Sequence, residues 1–85
     1  MHVNVGAVLR LVRQRRGMSQ EELAEELVID RSVVSRIESG KQHPAFETVL
    51  KWTDATNAKE VLVAFFCGVD GTSVMNNILS LMGAA

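Results

Sequence analysis

Two helix starts stand close together in this chain, with room between them for one short helix and a tight turn. The first is Ser19-Gln20-Glu21-Glu22. There the Ser19 hydroxyl can accept from the Glu22 amide while the Glu22 carboxylate reaches back to the Ser19 amide, a capping box that satisfies two helix-end donors reciprocally. Acidic side chains in that first turn also suit the positive end of the helix dipole. The second start is Asp30, a favourable N-cap ahead of Arg31. The intervening helix then runs to Leu27, with Leu23, Ala24 and Leu27 facing inward. The next spans residues 31–38 and stops at Gly40, in the C′ region. Two helices this short, separated only by Val28-Ile29, bury their apolar sides by crossing steeply, the geometry of a helix-turn-helix.

The flanking segments also read as helices. Val5, Val8, Leu9 and Val12 recur at helical spacing, which predicts a helix over 4–16 ended by Gly17. Pro44 suits the start of a helix over 45–56, in which Phe46, Val49, Leu50 and Trp52 are expected to supply core volume. Asn57, with Glu60 three residues on, reads as an N-terminus opening a short helix to Phe66. Gly68-Val69-Asp70-Gly71 reads as a turn, after which Thr72 caps a last helix with a broad apolar stripe of Val74, Met75, Ile78, Leu79, Leu81 and Met82. Apolar residues make up 47% of the 85, but aromatics only 5%, with no Tyr, which favours helix-on-helix packing over a sandwich or barrel. The expected fold is all-α, a compact bundle of five to six helices. It divides into a main unit at 1–67 and a C-terminal helical element at 68–85, whose Gly-Ala-Ala ending reads as a frayed terminus.

Several function classes are disfavoured. A net charge of −1 is not that of a non-specific nucleic-acid binder. Positive charge is nonetheless concentrated early, at Arg10, Arg13, Arg15, Arg16, Arg31, Arg36 and Lys41, interspersed with Glu21, Glu22, Glu25 and Glu26. Arg15 and Arg16, at a helix end, suit the dipole as solvated charges or approach a polyanion. The single Cys67 has no disulfide partner within the chain, and its apolar neighbours favour an unreactive thiol. Two isolated histidines, His2 and His43, form no metal-ligand spacing, so no metal and no cofactor is expected. No nucleophile has an identifiable base and no Gly-rich phosphate loop is present, so no enzyme is expected. The longest apolar run, Val61 to Cys67, is far below the ~20 residues of a membrane span, and the opening residues lack signal-peptide regions. The expected location is the cytoplasm.

The helix at 31–38 carries the chemistry. At about 100° per residue, Val33, Val34 and Ile37 fall on one side, and Arg31, Ser32, Ser35 and Arg36 on the other. Arginine can bridge guanine O6 and N7, and a serine hydroxyl can serve a donor or an acceptor on a base edge. Val33, at the edge of the apolar arc, suits core packing and contact with a thymine methyl equally.

Arg13-Gln14-Arg15-Arg16-Gly17-Met18-Ser19-Gln20-Glu21-Glu22-Leu23-Ala24, then Val33-Val34-Ser35-Arg36-Ile37-Glu38-Ser39-Gly40-Lys41 and Pro44, closely resembles the phage-repressor (Xre/Cro-like) helix-turn-helix family, over residues 4–56. The resemblance implies a lambda-repressor-like fold and double-stranded DNA as partner. It implies base contacts from Arg31, Ser32, Ser35 and Arg36. It further implies phosphate contacts around Ser19 and Gln20 at the start of the second helix, and at Ser39, Gly40, Lys41 and Gln42, where backbone amides and a basic side chain meet the backbone. Gln20 would also buttress the recognition helix, and Arg13 and Glu38 would form a structural ion pair. The sequence departs from the family at Val28, where glycine is usual because the backbone there often needs positive φ. Either the turn differs locally or packing offsets the strain of a β-branched residue. It also departs at Val33, where the family often has Thr.

The C-terminal stripe is too broad for a free helix in water. It either packs back on its own domain or, through Val74, Met75, Ile78, Leu79 and Met82 with Phe65 and Phe66, meets a second copy. A dimer would set two recognition helices about 34 Å apart, one turn of DNA. The sequence therefore predicts a DNA-binding transcriptional regulator, most simply a homodimeric repressor on a palindromic operator. The alternative is an antitoxin-like or anti-repressor module whose main partner is another protein, bound through the C-terminal helix or the acidic second helix.

Overall fold

The computed structural model describes residues 4–67 and Ser80. Among the described residues there are five helices and no strand: α1 (Val5–Arg15), α2 (Gln20–Leu27), α3 (Arg31–Glu38), α4 (Phe46–Ala55) and α5 (Lys59–Cys67). The capping box at the start of α2 forms in both directions, with the Glu22 amide donating to Ser19 Oγ at 3.0 Å and the Ser19 amide to Glu22 Oε1 at 2.9 Å. The Ser19 amide, which contributes most, and then the Ser19 hydroxyl hold the exposed Glu22 carboxyl below the usual glutamate range. Asp30 occupies the N-cap position of α3, but its side chain makes no capping bond.

The four segments from α1 to α4 close in one way. At each C-terminus one residue turns left-handed, its amide donating to the carbonyl three residues back, and the next amide donates to the carbonyl five back: the Schellman arrangement. The left-handed residues are Gly17 (φ 76°), Val28 (φ 56°), Gly40 (φ 81°) and Asn57 (φ 54°). Asn57 therefore ends α4 rather than opening the next helix, and α5 begins at Lys59. Glycine carries no Cβ penalty in this region and asparagine tolerates it. Val28 has neither advantage. Its turn keeps the glycine-type backbone, so it does not differ locally, and its side chain is 88% exposed, so packing does not offset the strain. A left-handed conformation costs an ordinary L-residue about 1–2 kcal/mol.

The core gathers Val8, Leu9 and Val12 of α1, Leu23, Ala24 and Leu27 of α2, Val34 and Ile37 of α3, and Trp52 of α4, closed below by Ala58 and Val61. Met18, Ile29 and Val33 pack against it half-buried, so Val33 is tied to the core from the edge of α3. Trp52 is wholly enclosed, and its indole N–H donates to the Leu9 carbonyl at 3.0 Å, which settles the one polar atom such a ring brings inside. Thr53 and Thr56, also buried, return their hydroxyls to carbonyls of their own helix. Two expected core residues differ: Phe46 and Leu50 lie toward the outside of α4, 58% and 39% exposed. The apolar arc of α4 that reaches the core is centred on Val49 and Trp52.

The expected helix over 72–82 and its stripe (Val74, Met75, Ile78, Leu79 and Met82) fall outside the described residues, as do the side chains of Phe65 and Phe66. Ser80 is helical and exposed.

Candidate nucleic-acid interface

The position of α3 is set from its C-terminal end. Glu38, the last residue of α3, is buried against Arg13 of α1: Arg13 Nε donates to Glu38 Oε2 at 2.6 Å and Nη2 to Oε1 at 3.0 Å. The third nitrogen, Nη1, donates to the Met18 carbonyl at 2.7 Å. Gln20, first residue of α2, adds its carboxamide N–H to Glu38 Oε1 at 3.1 Å. One carboxylate thus ties α1, α2 and α3 together, and its geometry is the planar two-bond pairing that Arg offers and Lys does not. The Arg13–Glu38 pair expected from the sequence is present, and so is the buttress from Gln20.

A second junction was not foreseen. Gly6 of α1 lies so close to the end of α3 that a Cβ there would overlap the Ile37 carbonyl oxygen. Asn4, the N-cap of α1, accepts from the Gly6 amide at 2.6 Å and lies against Gly40, where a Cβ would overlap its carboxamide. A glycine inside a predicted helix costs about 1 kcal/mol against alanine, and that cost was the available sign of a close backbone approach.

On the opposite side of α3, Arg31, Ser32 and Arg36 are exposed and Ser35 is half-buried. The four expected base-reading residues therefore share the outward face of one helix. Ser39, Gly40, Lys41 and Gln42 follow directly, all exposed. Their backbone amides are already used: Ser39 donates to Ser35 O, Gly40 to Ile37 O, and Lys41 and Gln42 both to Arg36 O. The Ser39 hydroxyl also donates to the Arg36 carbonyl, at 3.1 Å. The donors this loop has left for a phosphate are the Lys41 ammonium and the Gln42 carboxamide NH2. The Gln42 carboxamide oxygen accepts from Arg36 Nε at 2.9 Å. Arg15 points elsewhere, paired with Glu60 at 2.8 Å and donating to the Asn57 carbonyl, so it pins α1 to the start of α5. Arg16 and His43 are exposed.

A family model described as Helix-turn-helix matches residues 9–62, more than half of the chain. The chain belongs to the Xre/Cro-like helix-turn-helix family. It is accordingly a DNA-binding regulator of the helix-turn-helix type, with α2 and α3 as the two consecutive short helices inside the matched segment. No curated protein and no solved structure matches it significantly. Among the described residues no His, Cys, Asp or Glu cluster could hold a metal ion, and no helix is long and apolar enough to cross a membrane.

Proposed function

We propose that this helix-turn-helix protein is a sequence-specific repressor that binds a palindromic operator as a homodimer. Arg31, Ser32, Ser35 and Arg36 would read base edges in the major groove. Ser19 and Gln20 at the start of α2, with Lys41 and the Gln42 amide beyond α3, would hold the flanking phosphates, and Ser39 and Gly40 would shape the loop that carries them. The single observation that carries this reading is the outward face of α3, two exposed arginines flanking serines, on a helix whose far end is fastened by the buried Glu38. One small domain touches too few base pairs to select a site in a genome, and two-fold pairing doubles the contact. The apolar residues that the sequence spaces as a helical stripe, Val74, Met75, Ile78, Leu79 and Met82, with Phe65 and Phe66, would supply the contact for that pairing. Repression would follow from occupancy of the operator, in the cytoplasm and without a cofactor.

A second reading makes another protein the main partner, as in an antitoxin-like module. It draws support from the turn after α2, where exposed Val28 shares a shallow groove with Glu21, Glu25 and Asp30, although Arg31 of the proposed base-reading face also lines it.

Selection of bound duplexes from a randomised pool at about 150 mM salt, where distant charges are well screened, separates the two. Enrichment of a palindrome with half-sites about ten base pairs apart supports the operator reading. Recovery of no preferred sequence by folded protein rejects it in favour of the partner-binding module.

A further inference from the structure

We propose that Gln42 is a specificity-determining residue that acts through Arg36, holding its guanidinium in the orientation that reads a base; this rests on the reading of α3 as the base-contacting helix. Arginine has only donors to offer, so its partner at 2.9 Å must be the Gln42 carboxamide oxygen, and the amide orientation follows without ambiguity. The contact is local and reinforced. The Gln42 amide donates to the Arg36 carbonyl at 3.2 Å, the Lys41 amide to the same oxygen at 2.9 Å, and the Ser39 hydroxyl at 3.1 Å. The loop is thereby folded over Arg36 at both its backbone and its side chain.

Two consequences follow for recognition. With Nε engaged, the guanidinium presents Nη1 and Nη2 end-on, one of its two-donor edges and a fit to guanine O6 and N7. An unrestrained arginine would lose rotamer freedom on meeting the base, and a side chain already held loses less. Meanwhile the Gln42 NH2 points a donor away from the same carboxamide. A phosphate taking that donor would be coupled through one planar group to the base reader.

The test measures dissociation constants of the full chain for its preferred duplex and for duplexes substituted at each base pair in turn. Gln42→Ala, which loses both acceptor and donor, is expected to weaken every duplex and in addition to lower discrimination by about three- to tenfold at the one base pair read by Arg36, leaving discrimination at the other positions as it was. Gln42→Glu keeps the acceptor and loses the donor, so it should retain that discrimination while weakening every duplex. In an Arg36→Ala background, Gln42→Ala should cause no further loss of discrimination. Both positions are exposed, and matching thermal melts would show that the variants fold. A Gln42→Ala variant that weakens all duplexes equally, or changes none, overturns the proposal and leaves the operator reading standing. A parent chain with no sequence preference overturns both.

Discussion

Replacing Val28 by glycine should make this protein more stable, although it removes a side chain and adds backbone freedom. The left-handed conformation at φ 56° costs valine about 1–2 kcal/mol, and its β-branching places it toward the upper end. Glycine gives back about 0.4–1 kcal/mol through the larger entropy of the unfolded chain. The lost side chain gives back little more, since it is 88% exposed and a fully buried valine is worth only about 1.5–3 kcal/mol. The difference is a gain of about 0.5–1 kcal/mol, which in a domain of this size raises Tm by roughly 3–6 °C. Helical circular dichroism followed against temperature, at one protein concentration because assembly shifts Tm by mass action, measures it. Val28→Ala keeps the Cβ and serves as the control that should gain much less. A Tm for Val28→Gly at or below that of the parent would refute the reasoning.

Glu38→Ala leaves the Arg13 guanidinium buried without its carboxylate and should cost about 3–5 kcal/mol, comparable with the whole stability of a chain this short, as read by urea unfolding. Gly6→Ala forces a methyl against the Ile37 carbonyl and should destabilise by about 1–3 kcal/mol, although alanine is the better helix former; a neutral result would mean that α1 and α3 are not held this close. Lys41→Ala should weaken binding to all duplexes alike and reduce the slope of log affinity against log salt by about one unit. The Glu22 carboxyl should titrate below the usual glutamate range by NMR. Because its folded pKa is lowered, the capping-box stabilisation is present above the unfolded pKa and is lost as pH falls through the folded one.

Where local chemistry alone decides a feature, the sequence was a good guide. The Ser19–Glu22 capping box and the end of α3 at Glu38, ahead of Gly40, stand as expected, because caps and C′ glycines act within a few residues of themselves; α3 also begins at Arg31 as expected, but without the side-chain cap that Asp30 offered. Reading Asn57 as a start failed for a related reason. A short amide side chain suits both an N-cap and a left-handed C′ position, and only the path of the following chain separates the two. Phe46 and Leu50 show a different limit: apolar identity says that a residue tolerates burial, not that a neighbouring helix covers it. The loop after α3 was legible as a set of residues but not in its use of donors. Its amides close the helix, which depends on the backbone turning left-handed at Gly40. Nor could spacing reveal the meeting of Asn4 and Gly6 with Ile37 and Gly40, since it arises from the angle at which α1 crosses α3.

The fastening of α3 is uneven. Its C-terminal end is clamped by a two-bond ion pair, a glutamine and a close backbone approach, while its N-terminal end begins at an Asp30 whose side chain caps nothing. Val33 and Val34 seat the middle of α3 against the core, so the helix has most room to shift in its first turn. The base pair facing Arg36 should therefore be specified stringently, and the one facing Arg31 more permissively. On the proposed operator reading, the information content of a half-site would then fall from one edge to the other, so that related operators diverge first where the helix is loosest.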